Sequence, residues 1–148
     1  MRLFITGGAG FVGSHVSIAL MNEGVDVMIF DNLSNSSTSV INQISKLAGR
    51  RAELIIGDVR DRKSVYDAIN SYKPDAVMHF AGLKSISESF LKPNDYYEVN
   101  VSGTLNILAA MDCMKCRHLI FSSSATVYGK PQYLPIDEKH PTAPKSPY

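Results

Sequence analysis

Four glycines near the start of the chain carry the first chemical signal. In Leu3-Phe4-Ile5-Thr6-Gly7-Gly8-Ala9-Gly10-Phe11-Val12-Gly13, Gly8, Gly10 and Gly13 satisfy G-x-G-x-x-G, while Gly7, Gly10 and Gly13 satisfy the related G-x-x-G-x-x-G. Such a run suits an anion. Glycine permits a tight turn, lets main chain approach a pyrophosphate with no Cβ in the way, and lets a helix lie close on a strand. A helix beginning just behind it offers unpaired N–H groups and a partial positive charge. Context matters more than the triplet: Leu3-Phe4-Ile5 reads as a short buried strand, and a helical pattern opens after the glycines. The stretch is expected to hold the diphosphate of a dinucleotide.

Asp31 is the second signal. It closes the apolar run Val25–Phe30, about 18 positions after Gly13, near the ~20-residue offset at which an acidic side chain meets the adenosine ribose. A carboxylate there accepts from both ribose hydroxyls and repels a 2′-phosphate, so NAD is favoured over NADP; the alternative is a residue that only caps a loop. Asp58, after a third apolar run, is either a contact for the adenine edge or the start of the next helix. Ala81 and Gly82 are small enough to let backbone approach the cofactor. Lys84, two positions on, either reaches ribose or phosphate oxygens as a point charge or is simply solvated. Asn100 could brace backbone between strands. Cys113 and Cys116 form a lone C-x-x-C at the end of a predicted helix, with only His118 near as a further zinc ligand. A redox pair would sit at a helix start, so ordinary thiols are expected.

The elements that must position these residues follow from periodicity. Val12, Val16, Ala19 and Leu20 make one apolar face of a first helix, with Gly24 its C-cap. Strands are predicted at 25–30, 52–56, 76–80 and 118–121, and helices end near Leu47 and run from Arg62 to about Ser71. The polar loop Asn32–Ser39 would wrap the adenosine side. Pro93 opens a long helix whose buried face is read as Val101, Leu105 and Leu108. From Lys130 the chain is Pro-rich and polar, in the manner of an active-site loop. Strands alternating with helices predict an α/β fold, a Rossmann-type doubly wound parallel sheet carrying strands 1–5 and their flanking helices.

Composition narrows the rest. At 148 residues the chain has the length of one domain with a real core. Lys and Arg number 15 against 14 Asp and Glu, which leaves no electrostatic case for nucleic acid or an anionic membrane. No apolar run approaches the roughly 18 residues of a membrane span, and no basic-then-apolar leader precedes the first strand, so a cytoplasmic protein is expected.

Several motifs together resemble the extended short-chain dehydrogenase/reductase superfamily, and within it the amino-terminal part of the UDP-glucose 4-epimerase family. They are the stretches at 6–15, Asp-Asn-Leu-Ser at 31–34, His-Phe-Ala-Gly-Leu-Lys at 79–84, Asn-Val-Ser-Gly-Thr at 100–104 and Ser-Ser-Ser-Ala-Thr-Val-Tyr-Gly at 122–129. The resemblance implies NAD as cofactor and a UDP-sugar as substrate, UDP-galactose and UDP-glucose being interconverted through transient oxidation at C4. It puts cofactor contacts at Gly7, Gly10, Phe11, Val12 and Gly13; at Asp31, Asn32, Leu33, Ser34, Asn35 and Ser36; at Asp58 and Val59; at Phe80, Ala81, Gly82, Leu83 and Lys84; and at Asn100 and Ser122. It makes Ser124 the serine that hydrogen-bonds the sugar 4-oxygen and Tyr148 the catalytic tyrosine, and it implies a homodimer that pairs through the long helix at about 94–115.

Two points of chemistry accompany the resemblance. Dehydratases of the same branch usually carry an acid just after the serine or threonine, for water elimination; here Ala125-Thr126 follows Ser124, so epimerisation fits better. A tyrosine base also needs nearby positive charge, because free phenol has a pKa of about 10. In the family a lysine four residues after the tyrosine supplies part of that charge, and this sequence ends at Tyr148. The expectation is an incomplete NAD-binding domain, inactive alone, whose remaining strands and sugar-nucleotide domain lie outside it. The alternatives are a non-catalytic NAD-binding module and another NAD-dependent sugar-nucleotide epimerase.

Overall fold

A computed structural model describes residues 1–148. Its centre is one five-stranded sheet. The strands are β1 (Arg2–Thr6), β2 (Asp26–Asp31), β3 (Glu53–Ile56), β4 (Ala76–His79) and β5 (His118–Phe121), ordered β3-β2-β1-β4-β5 with every pair parallel. Between them run α1 (Phe11–Asn22), α2 (Thr38–Leu47), α3 (Arg62–Tyr72), the short α4 (Ile86–Leu91) and α5 (Pro93–Tyr96), and α6 (Gly103–Cys113). This is the doubly wound architecture expected from strand–helix alternation; only α4 is an addition.

The side-chain period of two sorts the strands onto two cores. Phe4, Phe30 and Val77 face α3 and α6, packing with Val65, Ile69, Ile107 and Met111. Ile5, Val27 and Ile29 face α1 and α2, packing with Met21, Ile41 and Ile44. Both faces are covered at β1 and β2, which is why these strands read as unbroken apolar runs. Edge strand β5 differs: Leu119 packs on the first core, while Ile120 and Phe121 are about half exposed.

Two helix faces depart from the sequence reading. In α1, Val16 and Leu20 pack against the second core as expected, but Val12 and Ala19 are exposed, and the fully buried positions are Gly13, Ser17 and Met21. The reason is proximity: a Cβ on Gly13 would run into the Gly7 carbonyl oxygen and lie 2.7 Å from the Gly8 Cα. At its start the helix rests main chain on main chain, so Gly13 faces inward where Val12 cannot, while Met21 packs into the second core at the far end. Gly24 ends the helix as expected, at φ 78° with its N–H on the Met21 carbonyl.

The long helix is also not the one predicted. Pro93 does start it, but residues 97–102 form a π-type turn before α6. Val101, Leu105 and Leu108 are exposed, and Tyr96, Gly103, Ile107, Ala110 and Met111 are buried. The helix is apolar on two faces: Val101, Leu105 and Leu108 keep one helical spacing, Gly103, Ile107 and Ala110 keep the same spacing on another, and the second is the one that meets the core.

Gly13→Ala is expected to cost about 1–3 kcal/mol by overpacking. Urea unfolding should show this as a lower midpoint with an unchanged slope.

Candidate functional site

The strand order reverses direction between β1 and β4, so the loops after these two strands diverge and leave a crevice at the carboxyl end of the sheet. Its volume is about 350 Å³, within the range of small-molecule sites. The loop after β1 supplies Gly7 and Gly10, the loop after β2 Asp31, Asn32, Ser34 and Asn35, the loop after β3 Asp58 and Val59, and the loop after β4 Phe80 to Leu83. Twelve positions named from sequence thus share one wall.

Gly7 is the tightest point. It has φ 67°, and a Cβ there would sit 2.5 Å from the Ala81 nitrogen. Its N–H donates to the Phe30 carbonyl at 2.9 Å and its carbonyl accepts from Gly10 N–H at 3.1 Å. The cap of α1 is Gly10, so no side chain covers the first N–H groups of the helix, and its first turn has no acidic residue. Bare amides beside a cleft floored with glycine are what a diphosphate requires. Phe11 and Val12 turn their side chains to solvent; their place at the helix start leaves their main chain as the contribution. Gly13 packs against Gly7 and Gly8 and sets the helix in place.

Asp31 is held at the end of β2, with 7% of its surface exposed. One carboxylate oxygen accepts from Ala9 N–H at 3.0 Å and the other from Leu33 N–H at 2.9 Å. Each oxygen keeps a further lone pair, and the residue lines the crevice. Leu33 adopts φ 57° and packs inward, while Ser36 donates to the Ala9 carbonyl at 2.7 Å, tying this loop to the glycine turn.

Asp58 does not start α3. That cap is Asp61, whose carboxylate accepts from the Lys63 and Ser64 amides. Asp58 instead accepts from Arg60 Nε at 3.0 Å and Nη2 at 2.8 Å, and from Asn32 Nδ2 at 2.9 Å. The Arg60 guanidinium holds the Asp58 carboxyl well below the usual carboxylate range. Arg60, which lines the same wall, escaped the sequence reading; the signal was present in the Asp-x-Arg spacing, which lets a guanidinium fold back on a carboxylate two residues earlier.

The remaining named positions lie off the wall. Lys84 is exposed. Asn100 gives both polar atoms of its side chain to Leu83, accepting from its N–H at 2.8 Å and donating to its carbonyl at 2.9 Å. Ser122 is exposed and donates its N–H to the His79 carbonyl. Ser124 caps a short 3-10 turn (Ala125–Tyr128), with its hydroxyl 3.0 Å from that of Thr126. Tyr148 packs edge-on against Tyr96, ring centres 6.3 Å apart, and the Tyr96 hydroxyl donates to Glu88, a crevice residue. Cys113 is exposed, Cys116 is buried, and both are free thiols. No helix is long and apolar enough to cross a membrane.

Fold and crevice define a Rossmann-type protein with its ligand cleft at the topological switch point. Comparison with known proteins narrows this. The family model for GDP-mannose 4,6 dehydratase matches residues 4–148. UDP-glucose 4-epimerase of Yersinia enterocolitica is 46% identical over 139 residues, covering 94% of this chain and 41% of that protein. A UDP-glucose 4-epimerase of Klebsiella pneumoniae is 42% identical over 138 residues, covering 93% of this chain and 99% of that one. The Bifidobacterium longum UDP-glucose 4-epimerase, solved with NAD+ and UDP, superposes with a TM-score of 0.97 at 42% identity over all of this chain and 44% of its own. That of Stenotrophomonas maltophila, solved with NAD and formylated UDP-arabinopyranose, gives 0.96 at 40% identity, again over all of this chain and 44% of its own. The chain belongs to the UDP-glucose 4-epimerases, within the family that the dehydratase model describes. It spans about two-fifths of the length of most of these relatives.

Beneath the crevice His79 is 2% exposed, and burial lowers its pKa to about 4 from an ordinary 6.5. The unfolded chain therefore takes up a proton below pH 6.5 that the folded chain refuses until about pH 4. The resulting stability is fully present above pH 6.5 and is lost as pH falls towards 4, amounting to about 2 kcal/mol by pH 5. Urea unfolding at pH 7.5 and 5 should show that loss, and His79→Gln should flatten it.

Proposed function

We propose that this chain is the dinucleotide-binding part of an NAD-dependent UDP-glucose 4-epimerase that interconverts UDP-galactose and UDP-glucose by transient oxidation at C4. The observation that carries the reading is the crevice in which the side-chain-free Gly7 turn meets Ala81 while the Asp31 carboxylate stands on the same wall. In this proposal the amides at Phe11, Val12 and Gly13 face the diphosphate, and Gly7 and Gly10 give it room. Asp31 accepts from the adenosine ribose hydroxyls, with Asn32 to Ser36 closing around that side. Asp58 and Val59 meet the adenine. Phe80 to Lys84, with Asn100 and Ser122 behind them, flank the other end.

When bound, NAD supplies a reversible hydride acceptor. The chain's own residues handle the proton and the orientation. Tyr148 takes the proton of the sugar 4-hydroxyl on its phenolic oxygen, and Ser124 hydrogen-bonds the 4-oxygen and holds it in line. The absence of an acid at Ala125-Thr126 supports epimerisation over dehydration. We further assign the exposed apolar stripe Tyr97, Val101, Leu105 and Leu108 to a homodimer contact. The sugar-nucleotide domain belongs to the remainder of such an enzyme, in the cytoplasm.

Titration of the chain with NAD and NADP should show binding with a preference for NAD. Asp31→Ala should weaken NAD by about 10- to 100-fold, the loss of hydrogen bonds to a charged acceptor, and should narrow the preference. Equal affinity in the variant would remove Asp31 from the ribose.

For the chemistry, residues 1–148 joined to the remainder of the Yersinia enterocolitica relative should convert UDP-galactose to UDP-glucose. Tyr148→Phe in that protein should lower kcat by about 10²- to 10⁴-fold. NAD binding without conversion in the joined protein would leave a binding module instead of a catalytic half.

A further inference from the structure

His79 lies under the crevice and has no role in the proposal above, on which the following rests. Its ring sits between β1, β5 and α6, with the Phe121 ring 5.5 Å away. Both nitrogens are engaged. Nδ1 is 2.6 Å from the Thr6 hydroxyl oxygen and Nε2 is 2.9 Å from that of Thr104. The residues facing it from the three elements are Thr6, Phe121 and Thr104, none of them charged or titratable.

The direction of each bond can be worked out. The Thr104 hydroxyl donates to the Asn100 carbonyl at 2.7 Å. With its one proton committed, its oxygen can only accept from His79, so Nε2 carries the imidazole proton. Nδ1 is then bare and accepts from the Thr6 hydroxyl. The Thr6 oxygen in turn accepts from Ala81 N–H at 3.4 Å. At the far end the Asn100 side chain grips both backbone groups of Leu83.

We infer that His79 is a positioning residue: a neutral imidazole protonated on Nε2 sets a one-way hydrogen-bond chain from Ala81 through Thr6 and Thr104 to Asn100, holding residues 81–83 at the crevice wall. Tolerance there is small, since Ala81 main chain occupies the space beside Gly7. A second proton on the ring would put a donor against Thr6, whose hydroxyl would lose its acceptor. An aromatic or aliphatic side chain would fill the volume but supply no direction.

The test uses the chain as it stands. In ¹⁵N NMR without cofactor, His79 should show a bare Nδ1 and a protonated Nε2 from pH 7.5 down to 5. Thr104→Val should speed amide exchange at Ala81 and Leu83 by on the order of tenfold, with Ile29 and Ile55 unchanged, and weaken NAD by a similar factor. Thr104→Ser should restore both. His79→Gln, whose amide lies at the place of Nε2 and donates to Thr104 while leaving the place of Nδ1 empty, should release Ala81 more than Leu83. A proton on Nδ1, or unaltered exchange at Ala81 and Leu83 in both Thr104→Val and His79→Gln, overturns the inference. Absence of NAD binding by the unmodified chain overturns the cofactor reading instead, and leaves the tautomer and exchange results to decide on His79.

Discussion

The structure depends on one contact made without side chains, the main chain of Gly7 against that of Ala81 on one flank and Gly13 on the other. Three elements meet there: the end of β1, the start of α1 and the exit from β4. Any Cβ on Gly7 or Gly13 would wedge them apart. Apolar burial holds the sheet together, but this contact fixes how closely the first helix approaches it. The result is a row of uncapped amides at the crevice floor, and the same absence of side chains that permits the packing leaves the site open to an anion.

Charge is arranged around that floor in a way that packing alone does not require. Asp31 is buried, yet it is held by backbone N–H donors and not by a cation, so its negative charge remains available to hydroxyl donors. Asp58 is different. Arg60 neutralises it at 2.8 Å, and Asn32 ties it to the loop after β2. One carboxylate is left to act on a ligand, while the other is committed to joining two loops into a wall. A parallel sheet with order β3-β2-β1-β4-β5 is what brings both to one end, because every strand delivers its carboxyl terminus to the same edge.

Much of this was legible in sequence, and the failures have physical causes. Strand positions and the glycine turn were readable because buried parallel strands are continuous apolar runs and because only glycine tolerates φ 67° under a neighbouring backbone. The face of α1 was read correctly at Val16 and Leu20 but misread at its start, because periodicity ranks residues by apolarity, whereas the close contact with the glycine turn selects for size: Gly13 enters and Val12 is left outside. The face of α6 was misread because the helix carries two apolar faces at the same spacing, and periodicity alone does not say which one meets the core. The His79 network was legible only in pieces. Asn100 was read as a backbone brace and stands one helical turn from Thr104, but Thr6 and His79 are far apart in sequence and from Asn100, and only the pairing of β1 with β4 sets Thr6 beside His79.

The parts of the molecule assigned to binding and to chemistry rest on different supports. Every crevice loop after β1, β2 and β4 springs from a strand paired on both sides, and β1, β2 and β4 bury Phe4, Ile5, Ile29, Phe30 and Val77 completely or almost so. Ser124 and Tyr148 sit on the segment that follows edge strand β5, where Ile120 and Phe121 are half exposed. That segment is held within itself by Ala143 N–H on the Val127 carbonyl and Gln132 N–H on His140, and is tied back to α5 by the Tyr148 ring on Tyr96. Local opening follows contact density. The crevice loops after β1, β2 and β4 therefore belong to the stable centre of the fold, and the residues proposed to move a proton follow an edge strand. In the proposed site the dinucleotide would be held by backbone set on paired strands, while the positions of Ser124 and Tyr148 depend on whatever packs against β5 and the segment behind it.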